Sequence, residues 1–120
     1  MSSYVDGFVI PLKKDRIEAY RAVAEKASAI WKEHGALAYY ESVGDDLESK
    51  GLIPFPQIAN CAPDETVIFA WIVYASREHR DEVNAKVFAD PRLQEMMDPK
   101  NPVIDCARIS YGGFRVIVQA

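Results

Sequence analysis

From Val67 to Ala75 the chain reads VIFAWIVYA, nine apolar side chains in succession. A strand with one wet face alternates apolar and polar residues, because successive side chains point to opposite sides. Here the odd positions (Val67, Phe69, Trp71, Val73) and the even ones (Ile68, Ile72, Tyr74) are both apolar. Both faces of one strand must therefore leave water, and any fold for this chain has to cover a sheet on two sides.

The remaining bounds are those of one ordinary domain. A chain of 120 residues, 49% hydrophobic and 27% charged, is long enough for a core without staples, so residues 1–120 read as a single domain. A net charge of −4 lacks the basic footprint behind nucleic-acid affinity, and no nucleic-acid partner is expected. No run approaches the ~18 apolar residues of a membrane span. The opening MSSYVDGFVIPLKKD has no basic stretch ahead of an apolar one, so it reads as a strand in a cytoplasmic protein rather than as a signal peptide. Cys61 and Cys106 stand apart, without CxxC spacing or clustered histidines, and read as free thiols.

Local patterns order the elements. YVDGFVI (Tyr4–Ile10) is a strand expected to end at Pro11. Asp15 and Glu18 fit a capping box ahead of Ile17, Tyr20, Val23, Ala24, Ala27, Ile30 and Trp31, whose spacing predicts one helical face that Gly35 stops. A second strand covers Leu37 to Val43 and ends in the turn residues GDD. Residues 47–64 carry three prolines and no period, which predicts a long, functional or mobile loop. After the two-faced strand, Ser76 caps a helix to Ala89 with Val83, Val87 and Phe88 as its stripe. Asp90 and Pro91 start the short helix PRLQEMM, which DPKNP terminates. A last strand spans Arg108 to Val118, where YGGF marks a bulge or a close backbone approach.

The order β-α-β, loop, β-α-β predicts an α+β ferredoxin-like sandwich: a four-stranded antiparallel sheet with two main helices on one face. Two helices cover one side only. Six apolar side chains per protomer, at about 1.5–3 kcal/mol each, would give a pair of protomers roughly 18–36 kcal/mol gross. Association costs about 4–15 kcal/mol. The expectation is a homodimer stacked through the open sheet face; the alternative is that the 47–64 loop folds over that face in a monomer.

YVDGF (Tyr4–Phe8), GAL (Gly35–Leu37), GDD (Gly44–Asp46), ETVIFAWI (Glu65–Ile72), RDEVNAKVFADPR (Arg80–Arg92) and YGGF (Tyr111–Phe114) together resemble the YbaA-like family of bacterial proteins of unknown function. The similarity spans nearly the whole chain in unchanged order. It implies the dimeric α/β-barrel superfamily, in which two ferredoxin-like protomers join their sheets. It implies no activity; neighbouring families include cofactor-independent monooxygenases, haem-degrading enzymes, isomerases and stress-response proteins, and fold analogy that broad warrants little.

Asp6 is the first candidate for chemistry. It interrupts an apolar strand, and a buried carboxylate is either tuned as a general acid or base or tied to an arginine such as Arg108 or Arg115. Trp71, Tyr39 and Tyr111, with Tyr40 and Tyr74, either line an aromatic-accepting pocket or fill the core; Arg108 is a further ligand-binding candidate. Arg80 and Asn84 share a helix face that could hold an anion or a loop. His34 and His79 fit capping or surface roles, and Asp45 and Asp46 a turn. No catalytic triad, metal-ligand set, phosphate loop or dinucleotide fingerprint is present, so no cofactor and no metal are expected. Two functions follow: a noncatalytic dimer binding a small molecule between sheet and helices, or a cofactor-independent oxygenase or isomerase acting on an aromatic or carbonyl compound. In the second, Asp6 would deprotonate or polarise the substrate and Trp71 would stack on it.

Overall fold

The computed structural model describes residues 3–96 and 102–120. Four strands, β1 (Tyr4–Lys13), β2 (Ala38–Val43), β3 (Glu65–Tyr74) and β4 (Ser110–Arg115), form one sheet in the order β2-β3-β1-β4. All neighbouring pairs are antiparallel. Helix α1 (Ile17–Glu33) links β1 to β2 and α3 (Arg77–Phe88) links β3 to β4, each connecting strands that have a third between them. This is the split βαβ unit used twice, the ferredoxin-like α+β fold. A single turn, α2 (Phe55–Ile58), lies within the 47–64 segment, and α4 (Pro91–Met96) follows α3. The expected DPKNP terminator falls mostly outside the described residues.

Local chemistry sets most helix ends. Gly35, at φ 116°, takes the chain out of α1 in a conformation other residues avoid, while Ala36 N–H reaches the Trp31 carbonyl at 3.0 Å. Ser76 Oγ accepts from the His79 N–H at 3.1 Å at the start of α3, and Asp90 Oδ1 accepts from the Arg92 N–H at 2.9 Å ahead of Pro91. The start of α1 differs from expectation. Lys14–Arg16 form a 3₁₀ turn and Arg16 occupies the N-cap with no side-chain cap, so the Asp15/Glu18 capping box is not formed. Asp15 lies inside the turn joining β1 to the helix, one residue too early to cap it. Glu18 pairs instead with Arg21 on the surface at 3.3 Å.

Two strands also differ in extent. β1 continues through Pro11 to Lys13. β4 has stopped opposite Val9, so Pro11 has β3 as its one neighbour and its missing N–H breaks no second ladder. β4 is shorter than the expected 108–118 stretch: a 3₁₀ turn takes Cys106–Arg108, and Ile117 and Val118 are each 82% exposed. Its pairing with β1 is regular, so the YGGF glycines mark close approach rather than a bulge. A Cβ on Gly113 would collide with the Tyr4 ring, and Phe114 packs across the facing pair Gly7 and Gly112.

The two faces of the sheet differ within one chain, although β3 is apolar on both. Ile68, Ala70, Ile72 and Tyr74 are buried with α1, α3 and α4 in two adjoining clusters. On the opposite face the 47–64 segment covers one end. Val67 is buried there, and Phe55 meets the Phe69 ring edge-on at 5.8 Å. Beyond it lies an apolar surface: Phe69, Tyr40 and Phe114 are 43%, 52% and 62% exposed, with Val5, Val9 and Trp71 between them. The molecule is a slab of 40 × 38 × 20 Å.

Candidate functional site

Between the helix-facing side of the sheet and α1 lies a cavity of about 520 Å³, bordered at its far side by Leu93 and Met96 of α4 and by Ile104, Cys106 and Ile109. Two cross-strand rows make its floor. Tyr39, Ile72 and Asp6 stand side by side on β2, β3 and β1; Glu41, Ala70, Phe8 and Tyr111 form the next row, reaching β4. Helix α1 supplies the roof at positions 20, 23, 24, 27 and 31, the same apolar stripe that docks the helix. The alanines at 24 and 27 leave the space that larger residues would fill.

The walls are apolar except at three polar clusters. In the first, Asp6, only 1% exposed, accepts at Oδ1 from Arg80 Nη1 at 2.7 Å. The same Nη1 donates to the Tyr111 hydroxyl at 2.7 Å, Arg80 Nε donates to Asp81 at 2.8 Å, and the guanidinium sits 5.0 Å from the Tyr4 ring centre. Asp6 is therefore ion-paired, with an arginine of α3 rather than with Arg108 or Arg115. In the second, Asn84 Oδ1 accepts from Trp31 Nε1 at 3.1 Å and from the Tyr74 hydroxyl at 3.2 Å. Arg80 and Asn84 thus share a helix face as their spacing implied, and that face holds sheet and α1 groups.

The third cluster centres on Glu41, which the sequence reading did not single out. Its Oε1 accepts from the Tyr20 hydroxyl at 2.6 Å and its Oε2 from the Tyr39 hydroxyl at 2.7 Å. Burial, reinforced by the neighbouring Glu41 carboxylate, holds both phenols well above their ordinary pKa. They remain protonated donors. The signal available in the sequence was parity: Glu41 occupies the same side of β2 as Tyr39, a carboxylate on the core-facing side of a strand.

Of the candidates read from sequence, Asp6, Tyr39 and Tyr111 come together around the cavity. Trp71 does not. It projects from the other face of the sheet, stacked on Tyr40 with ring centres 4.9 Å apart, so Trp71 and Asp6 cannot touch one molecule in the cavity. Arg108 is also elsewhere: its Nη atoms donate to the two Glu65 carboxylate oxygens at 2.8 and 2.9 Å, and Nη2 also reaches the Asn60 carbonyl. That fork and the Ala62 N–H depress the Glu65 pKa to about 2. His34, at the end of α1, meets Asp90 at 2.8 Å and joins α1 to α4. His79 Nδ1 accepts from the Ala75 N–H. Cys61 and Cys106 are free thiols, Cys106 exposed at the cavity lip. Among the described residues no helix is long and apolar enough to cross a membrane.

Fold and cavity define a ferredoxin-like α+β protein with a hollow between sheet and first helix. Residues 3–105 match the family described as "Protein of unknown function (DUF1428)", and the chain belongs to that family. It is 38% identical over 116 residues to "Uncharacterized protein YbaA" of Escherichia coli K12, covering 97% of each chain. The same identity and coverage hold for the YbaA of Shigella flexneri. Among solved structures, a NIPSNAP family protein with unknown function (Atu4242) from Agrobacterium tumefaciens superposes with a TM-score of 0.58 at 21% identity, over 95% of this chain and 87% of that one. A second crystal structure of Atu4242 gives 0.56, over 92% and 90%. These similarities bear on fold and family and bring no activity with them.

Proposed function

We propose that this protein is a cytoplasmic homodimer that binds a small, largely apolar molecule between sheet and helices. The observation that carries the reading is the cavity itself: about 520 Å³, apolar over most of its wall, with a few convergent polar groups, the usual character of a small-molecule site. The oxygenase or isomerase reading is less well supported. It needs a free base and a stacking ring, whereas Asp6 is engaged by Arg80 and Trp71 lies across the sheet.

Surface area supports the dimer. The chain exposes 8275 Å², against about 6,500 Å² for a compact monomer of its mass. Its radius of gyration is 15.1 Å, where a chain of this length packs to about 13.6 Å. The excess exceeds the ~800 Å² per partner of a standard interface, and the apolar face around Phe69, Trp71 and Phe114 is where a second copy would place it.

Light scattering on a sizing column should return twice the 13.5 kDa chain mass. A screen of neutral and charged aromatic fragments by NMR should find binders that the cavity-filling change Ala27→Phe excludes. A monomer would remove the assembly half of the proposal; fragments that bind equally well to Ala27→Phe would remove the cavity half.

A further inference from the structure

The charges around the cavity do not balance. Asp6 is neutralised by Arg80 at 2.7 Å. Glu41 has no such partner: both of its hydrogen bonds come from neutral phenols, and among the described residues no lysine or arginine forms an ion pair with it. Arg21, which borders a shallow groove on the outer side of Glu41, is engaged by Glu18 at 3.3 Å, and Glu25 adds a further negative charge to that groove. Among the described residues, then, the cavity wall carries one carboxylate with no cationic partner. A carboxylate offers about four acceptor positions, and the two tyrosines use two of them. Aromatic rings line the same cavity: Tyr39 lies 6.0 Å from Trp31, Trp31 meets Phe88 edge-on at 6.2 Å, and Phe8 lies 5.0 Å from Tyr111.

An anionic ligand would meet repulsion from Glu41, and a neutral one would offer this half-buried carboxylate no counter-charge. A cation would be held by a charge-assisted hydrogen bond to the carboxylate, and an apolar body attached to it by the aromatic walls. We infer that the ligand is an organic monocation, an amine on an aromatic or branched apolar body, with its ammonium on Glu41 and its apolar part against Trp31 and Phe8. The inference rests on the cavity being a ligand site, as proposed above, and adds the ligand's chemical class.

Three matched probes test it by calorimetry at neutral pH: 2-phenylethylamine, 2-phenylethanol and 3-phenylpropanoate. The amine should bind tighter than the alcohol by about tenfold or more, with the acid weakest. In Glu41→Gln, whose amide oxygen can still accept from a tyrosine, the amine should fall to the level of the alcohol while the alcohol's affinity is kept. In a Cys61→Ser background the amine should also slow maleimide labelling of Cys106 at the cavity lip. If the alcohol or the acid binds as well as the amine, the cation inference is wrong and the cavity reading stands. If none of the three binds or protects Cys106, both fall. The wild-type ranking decides the matter even where Glu41→Gln does not fold.

Discussion

Arg80 Nη1 lies 2.7 Å from Asp6 Oδ1 and 2.7 Å from the Tyr111 hydroxyl, so one guanidinium ties helix α3 to the central strand β1 and to the edge strand β4. The pair closes what would otherwise be a costly feature, a carboxylate 1% exposed inside an apolar layer. Charge burial of this kind is tolerated only when the partner is in place, since desolvation is repaid by the local Coulomb attraction and hydrogen bonds.

Removing the partner alone should therefore be severe. Arg80→Met is expected to destabilise the fold by about 3–5 kcal/mol, whereas Asp6→Asn combined with Arg80→Met should cost clearly less than the sum of the two single changes. Urea denaturation of the four proteins at one protomer concentration measures the coupling. Additive losses would mean that the pair is not the reason Asp6 can be buried.

The Glu65–Arg108 fork predicts a pH dependence with a definite sign. Its hydrogen bonds lower the Glu65 pKa from 4.5 to about 2, so the folded state favours the ionised form. The stabilisation is present in full above the unfolded value and is lost as pH falls toward 2. Glu65→Gln should therefore be less stable than wild type at pH 7, and the gap should narrow between pH 4.5 and 2. Denaturation midpoints followed down the pH scale give the test; a gap that stays constant would contradict it.

Phe114 reports on the open face. It is 62% exposed and lies over Gly7 and Gly112. A carboxylate there would be desolvated in the proposed stacked dimer but not in a monomer, so if that proposal holds Phe114→Glu should give a folded monomer with an unchanged far-ultraviolet spectrum. Sedimentation velocity reads the outcome, and a Phe114→Glu dimer as tight as wild type would place the interface elsewhere.

Gly113 is where β4 makes room for an aromatic ring. An added methyl group would run into Tyr4, whose ring stacks under the Arg80 guanidinium. Gly113→Ala should cost about 1–3 kcal/mol through forced displacement of that ring. Gly112→Ala, which meets only the edge of Phe114 at 3.5 Å, should cost less. Thermal melts of the two variants side by side settle the order.

What the residues determined by themselves is what depends on near neighbours. The even spacing of Ile68, Ile72 and Tyr74 against Val67, Phe69 and Trp71 specified a strand apolar on both faces, because side-chain direction in a strand is a property of parity alone. Gly35, Ser76 and Asp90 marked helix ends because capping acts over two or three residues. The β-α-β order then left few topologies to choose from.

Only the tertiary structure decided which groups meet. Asp6 stood out in sequence, but its partner lies 74 residues away on α3, chosen over the nearer-seeming Arg108 and Arg115 by how the helix crosses the sheet. Glu41 joined the cavity wall because strand register sets it in the row of Ala70 and Phe8, within hydrogen-bond reach of Tyr20 of α1. Trp71 was separated from Asp6 by one step of the same register. Parity and capping are local and survive in the linear chain, whereas register and helix crossing arise when distant segments pack, and the candidate site is made of those.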